Sequence, residues 1–550
     1  MTAPADLTAY RRPPEQVMRL ARMGSAHPTR LSFLRNLLRR MQTEGWTFDR
    51  PVWDVNPQGV GRAVYRAIGP NHTYSLVAFA HDLPDHMRSD RVIATAWDAT
   101  FALFDGTPTP ADLDRLQANV PLQEAGRISA QELTLARANR SVRLFAHVVD
   151  RLAQGQQPDA AEVDAVGYLM RTTAVYGSGK FGAADRDTIA HRPEFRGPFQ
   201  VEMLSVWLIR SFTVDLVEHL AAARGGPTAV PLDKTLRRRL GVGNSTGLGM
   251  APFLIKHPTL LNNWMMAREE ALARIRALPQ TTPTTTAAFQ TAIQKAIQNA
   301  TTWTSDHPIQ IAKLADLRAD LALIAAQGVP TDPYPWNTLW LWAETTLTLE
   351  GQEALLAALL EPHGLLIDGL ADCMDADEAK AFPLDGSKTV AHLRTDLARH
   401  YAWATTTDYT QPENSARFWY VSEEKLEPRL GERYDEPGAA LELPIDTGRM
   451  AAALATDLAH WPDDTPIAHV LLAHPEHRFI ARRVQQSARF PYAEIRENLI
   501  AAGTLPIDML RCKLAFFGAS HFDPRSDRWV RIALFQNQPY PQDLASEGPL

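Results

Sequence analysis

Between residues 241 and 258 the chain reads GVGNSTGLGMAPFLIKHP, with four glycines and two prolines around Asn244-Ser245-Thr246 and with Lys256 and His257 at its end. Glycine lets backbone approach a ligand closely, and Asn, Ser and Thr supply neutral donors and acceptors. Lysine supplies charge. Pro258 suits the first position of a helix, whose N-terminal turn favours anions. These residue types predict an anion-holding loop in which Asn244, Thr246 and Lys256 bind, and Ser245 or His257 moves a proton.

Three other segments supply chemistry of the same kind. YGSGKFG places Lys180 in a turn with Gly177, Gly179 and Gly182. It is not a dinucleotide fingerprint, because the polar, proline-stopped AADRDTIAHRPEF follows it instead of a helix. It is not a nucleotide P-loop either, since Phe181 stands where Ser or Thr must hold magnesium. What remains is a glycine-rich turn offering Lys180 and backbone N–H groups to an anion. RPEFR adds Arg192, Glu194 and Arg196, and the helix after it, FQVEMLSVWLIRSFTVDLVEHLA, is apolar on nearly every side yet contains Glu202 and Arg210. A charge in such surroundings needs a partner or a polar cavity. FGASHFDPRSDR supplies His521, Arg525 and Arg528.

The glycine-rich loop resembles a stretched version of the mobile signature loop of the fumarase and aspartase lyases. In that loop Gly-Ser-Ser, Met-Pro, a lysine and Asn-Pro follow in order. Asn244, Ser245, Met250, Pro252, Lys256, His257 and Pro258 stand in that order here, with Thr-Gly-Leu-Gly intervening after Ser245. The resemblance implies a serine base on a flexible loop and Lys256 on a substrate carboxylate.

The site so predicted has Ser245, His257, Glu202 and His521 as proton-transfer groups. Its anion ligands are Lys180, Arg196, Arg210, Asn244, Thr246, Lys256, Arg525 and Arg528. The reaction class is acid–base chemistry of lyase or isomerase type on a carboxylate-bearing molecule, with no cofactor and no metal. A metal-dependent hydrolase centred on His81, Asp85 and His86 of HDLPDH is one alternative, and a non-catalytic scaffold protein another. The other close histidine pair, His474 and His477 of HPEHRF, reads as helix-start capping.

The elements that must position these residues are mostly helical. Apolar periodicity predicts helices at 15–44, 110–119, 130–153, 160–174, 199–223, 259–277, 287–300, 308–327 and at further stretches to 502. Strands are expected at residues 61–68 and at TYSLVAFAH, joined as a hairpin, and at RVIATAWDATFALF, ARFWYVS, KLAFFGA and RWVRIALF. The expected fold class is mainly α with small antiparallel β-sheets (α+β). Threonine and proline in PQTTPTTTA, residues 279–287, suggest a linker between a helical domain 1–278, with the hairpin and glycine-rich loops, and a helical domain 288–550. Strand-turn-arginine segments begin at 79, 176, 420 and 517, and the matched pairs 79/176 and 420/517 are equally spaced, which suggests an internal duplication.

Composition narrows the partners. With 550 residues, 56 Lys and Arg against 63 Asp and Glu, and a net charge of −7, the chain has no global attraction for nucleic acid or an anionic membrane. Two cysteines exclude a disulfide framework. The start MTAPADLTAYRRPPEQ lacks a signal-peptide apolar run, so a cytoplasmic location is expected. The expected partner is a small anionic molecule, with a homo-oligomer as an allowed assembly.

Overall fold

The computed structural model describes residues 7–84, 86, 96–122, 126–172, 182–183, 189, 191–197, 199–246, 258–305, 308–374, 382–411, 420–422, 425–427, 444–496, 511, 514–519, 521–523, 530–548 and 550. The chain forms two compact units. One comprises Met1–Arg30, Thr246–Ala515 and Pro524–Val530; the other comprises Leu31–Ser245, Phe516–Asp523 and Arg531–Leu550.

The second unit is built on a mixed sheet, not on small antiparallel ones. Helix makes up 57% of the structure, so α+β stands as the overall class, but the strands join in one curled sheet, a half-barrel. Its strands are β1 (Thr47–Val55), β2 (Gly61–Ile68), β3 (Thr73–Ala80), β4 (Ala99–Asp105), β5 (Glu132–Arg140), β6 (Tyr168–Thr172), the two-residue β7 (Gly182–Ala183) and β8 (Gly241–Thr246). Strands β9 (Tyr420–Ser422) and β10 (Lys425–Glu427) form a separate two-stranded sheet, and β11 (His521–Asp523) and β12 (Val530–Leu534) return to the large one. The large sheet runs in the order β1-β2-β3-β4-β5-β6-β8-β12-β11, with β7 beside β5. β1 to β6 are antiparallel neighbours, whereas β6 and β8 are parallel, joined through the helix Gln200–Gly225.

Four strands in the second unit escape the sequence pattern, each for a physical reason. β1 carries Pro51 and three charged residues, which suit only an edge strand, and its register shifts between Asp49 and Val52, around the proline. β5 and β6 are buried on both faces, so ELTLARANR and YLMRT have no row of solvent-facing polar residues, and with apolar residues that also fit the helical period both read as helix. β8 is the first part of the glycine-rich loop. Its glycines answer to packing: a Cβ on Gly241 would lie 2.3 Å from the Leu534 carbonyl oxygen, and one on Gly243 would lie 2.6 Å from the Tyr168 ring and 2.8 Å from the Arg171 stem. KLAFFGA goes the other way, since residues 514–517 are helical. The segments read as a duplication do not share one local structure: Phe79 is in β3, Tyr420 is in the separate β9/β10 pair, Phe517 is helical, and 176–181 lies outside the described residues.

The helix Gln200–Gly225 covers one face of the sheet and is buried from Gln200 through most of its length, as its all-round apolar pattern requires. Phe212 packs on Phe101 and Tyr65, with ring centroids 5.4 and 6.4 Å away. The Thr134 and Ser205 hydroxyls meet at 2.6 Å. The opposite face carries a second core, in which Val77, Phe79, Ala102, Phe104 and Leu135 pack under Leu113 and Leu116 of the helix Pro110–Asn119.

The first unit is helical around a buried ionic cluster. Arg12 grips Glu269 through two hydrogen bonds of 2.8 and 2.7 Å and donates to Glu353 at 2.7 Å. Glu353 also accepts from Arg22 at 3.1 Å and from Arg268. All of these side chains are buried, and with Arg12 beside it burial pushes the Arg22 guanidinium down to about 10. Glu353 lies in the apolar stretch Leu349–Met374, which is long and apolar enough to cross a membrane by length and composition but here packs largely inside the unit. The threonine-proline stretch expected to be a linker opens a helix instead, with Thr282 accepting the Thr285 N–H and capping Pro283–Thr302.

The same unit contains a titratable group that should govern its acid stability. His400 is 4% exposed, and burial, helped by Arg496 and Arg399, pulls it down to about 4. Arg496 donates to His400 Nδ1 at 3.4 Å, which requires the neutral ring. The unfolded chain therefore takes up a proton at His400 that the fold excludes. Stability from this group is complete above pH 6.5 and is lost as pH falls toward 4, by about 3 kcal/mol in all. His400→Gln should remove that part of the pH dependence, seen as denaturation midpoints of variant and wild type that converge between pH 7 and 4.5.

Candidate functional site

Strand register gathers a polar group at one end of the sheet, on the face opposite the helix Gln200–Gly225. Thr100 pairs with Phe79 on one side and Arg137 on the other, so these three residues share a face. Asn139, two residues beyond Arg137, pairs with Arg171 of β6, which in turn pairs with Gly243 of β8. His81 directly follows β3 and its Nε2 lies 2.9 Å from the Thr100 hydroxyl. The floor of the site is therefore His81, Thr100, Arg137, Asn139 and Arg171, set on four neighbouring strands. Gly243 leaves space for the Arg171 stem, whose Cγ would lie 2.8 Å from a Cβ at that position.

Beneath and beside the floor, hydrogen bonds fix the backbone. Asp98 is fully buried; it accepts the Arg140 N–H at 2.9 Å, and its own N–H donates to Asn139 Oδ1 at 2.9 Å. The His81 N–H donates to the Asp98 carbonyl at 2.9 Å. Arg137 stacks on the Trp97 ring at 4.5 Å and Arg140 on the Phe145 ring at 4.6 Å. Asn244, 1% exposed in β8, donates to the Thr172 carbonyl of β6 at 3.0 Å and ties the parallel pair together.

Electrostatically the floor is cationic. Arg137 and Arg171 lie on it, while Arg140, on the other face of β5 by alternation, is ion-paired with Asp98 at 3.6 Å. Burial lowers the Arg137 guanidinium, and it also lowers His81 against the pull of Asp98, so the His81 imidazole is neutral at pH 7. A neutral imidazole beside fixed guanidinium groups can take a proton from a bound acid while the arginines hold its carboxylate.

The predicted residues divide into three groups. Asn244 braces the site from beneath, since alternation puts it on the opposite face of β8 from Gly243, and Ser245 and Thr246 close the same strand. Arg210 and Arg196 do not belong to it. Arg210 is 1% exposed in the helix Gln200–Gly225 and donates to the carbonyls of Leu240, Gln538, Arg238 and Pro539 at 2.7, 2.9, 3.0 and 3.3 Å. It lies 3.8 Å from the centre of the Tyr540 ring. That buried arginine is paired by backbone oxygens, and burial pushes it down to about 10. Arg196 is exposed next to a different array, in which Tyr74 donates to Glu194 and Arg192 forks onto Asp105, with His72 also on Asp105. Tyr74 and His81 mark opposite ends of β3. Glu202 is half-buried in the first turn of its helix, where a carboxylate suits the N-terminal dipole. Lys180, Lys256, His257, Arg525 and Arg528 lie outside the described residues, and His521 opens β11.

The metal alternative fares differently at its three residues. His81 is engaged with Thr100, His86 is exposed, and Asp85 lies outside the described residues.

No known protein family, characterised protein or solved structure matches this chain. The short likeness to the lyase signature loop thus has no longer match behind it, and the function rests on the site itself. Sequence reasoning misses Arg137, Asn139 and Arg171. A signal for two of them is present in LARANR, where Arg137 and Asn139 alternate with alanines at a period of two, but the segment also fits the helical period.

Proposed function

We propose that this protein is an enzyme that binds a small carboxylate-bearing anion on the cationic end of the sheet and acts on it by acid–base chemistry, without a cofactor. Arg171 and Arg137 hold the carboxylate, Asn244 and Thr100 fix the floor, and His81 is the neutral proton acceptor. Ser245, near the end of β8, supplies the second proton-transfer group, and Lys180, in the segment that follows β6 in sequence, supplies a further cation. The reading is carried by one observation: cross-strand register puts Thr100, Arg137, Asn139 and Arg171 on a single face, with His81 hydrogen-bonded to it. The position also supports it, because ligands in sheets with crossover connections favour the carboxyl ends of parallel strands, here β6 and β8.

A thermal-shift panel of mono-, di- and tricarboxylates and inorganic phosphate tests the reading. At about 100 times its dissociation constant, an anion held by the native state adds about 2.7 kcal/mol of apparent stability. At least one carboxylate should raise the melting temperature more than sodium chloride does at equal ionic strength. A panel with no such shift argues against an anion site.

A further inference from the structure

A second cluster, in the first unit, has the donor set of a metal centre. Asp457 ends the helix Pro444–Leu458, His474 follows the helix Ile467–Ala473, and His477 caps the helix Arg478–Arg489. Glu476 lies between the two histidines. One ligand atom from each of the four residues falls within 4.8 Å of every other. His477 Nε2 is 2.6 Å from Asp457 Oδ2, His474 Nδ1 is 3.2 Å from Glu476 Oε1, and His474 Nδ1 is 3.9 Å from Asp457 Oδ2.

We propose that Asp457, His474, Glu476 and His477 form a binding site for a divalent transition metal, with Zn2+ as the fitting ion. Two imidazoles and two carboxylates are a zinc donor set. At Zn–N and Zn–O distances of 2.0–2.1 Å, tetrahedral donors stand about 3.3 Å apart, and the observed separations bracket that value. The three helices that carry Asp457, His474 and His477 share one apolar core, in which Leu454, Leu458, Val470, Leu471, Ile480 and Ala481 are buried. Donors on a rigid scaffold need little rearrangement to bind. Exposure is graded as well: the His477 side chain is 6% exposed, those of His474 and Asp457 are 35% and 37%, and Glu476 is 58%, so an ion can enter from the Glu476 side. A bare His477–Asp457 ion pair would account for the 2.6 Å contact, but not for His474 and Glu476 converging on it.

The test uses the untagged full chain, stripped of metal by chelator dialysis and titrated with ZnCl2 against a chromophoric competitor. The expected result is one equivalent of tightly bound Zn2+, with affinity at least about 100-fold weaker in His474→Ala and in Asp457→Asn, since loss of even an outer-shell partner costs 10–100-fold. His474→Ala removes a partly exposed ring, so its apo form should melt with the wild type and separate lost binding from lost folding. Co2+ in place of Zn2+ should give the visible absorption bands of a tetrahedral site in wild type and not in His474→Ala. Absence of stoichiometric uptake by the wild type, or uptake unchanged in both variants, would overturn the site.

Discussion

Glu353→Gln is expected to cost the protein about 3–5 kcal/mol, because the substitution leaves buried guanidinium groups without their common carboxylate. Arg12, Arg22 and Arg268 all donate to Glu353, and Arg12 has Glu269 as a second carboxylate. None of the three cations is exposed enough for water to take over. The loss should appear as a fall of at least about 5 °C in melting temperature, together with earlier proteolysis of the first unit. A fall of less than about 1 °C would mean that the cluster does not order the unit. The effect should be specific to breaking the network, since ionic clusters replaced whole by apolar residues are often neutral or stabilising.

Gly241→Ala is expected to destabilise the second unit by about 3 kcal/mol, the upper part of the usual range for forced overpacking. The added methyl would meet the Leu534 carbonyl oxygen at 2.3 Å and the Gln536 nitrogen at 3.0 Å, and neither is a side chain that can rotate away. β8 would have to part from β12. Gly243→Ala should be milder, because its first obstacles are the Tyr168 ring and the Arg171 stem. The expected order in denaturant midpoints is wild type, then Gly243→Ala, then Gly241→Ala. If Gly241→Ala unfolds with the wild type, the glycine is not there for the sheet.

The glycine pair marks where sequence and structure part. In GVGNST the two glycines suggest a loop built around a ligand, yet both answer to close approach within a sheet, which local sequence does not reveal. The hairpin of residues 61–68 and 73–80 is readable, because alternation and a polar turn fix it locally. The buried helix at 199–223 is readable too, and its Arg210 does need partners, but these are carbonyls up to 329 residues away. The cationic floor is not readable. Arg137, Asn139 and Arg171 become neighbours only when β5 pairs with β6, and these two strands hide as helix because, buried on both faces, they lack a solvent-facing polar row.

The most direct measurement of the central claim is calorimetric titration of the best-stabilising carboxylate into the wild type, Arg171→Met and Arg137→Met. A charge-assisted contact contributes about 1.5–3 kcal/mol, so each arginine variant, once shown by circular dichroism to be folded, should bind about 10- to 150-fold more weakly. Equal affinity in all three proteins would contradict a carboxylate site on this sheet.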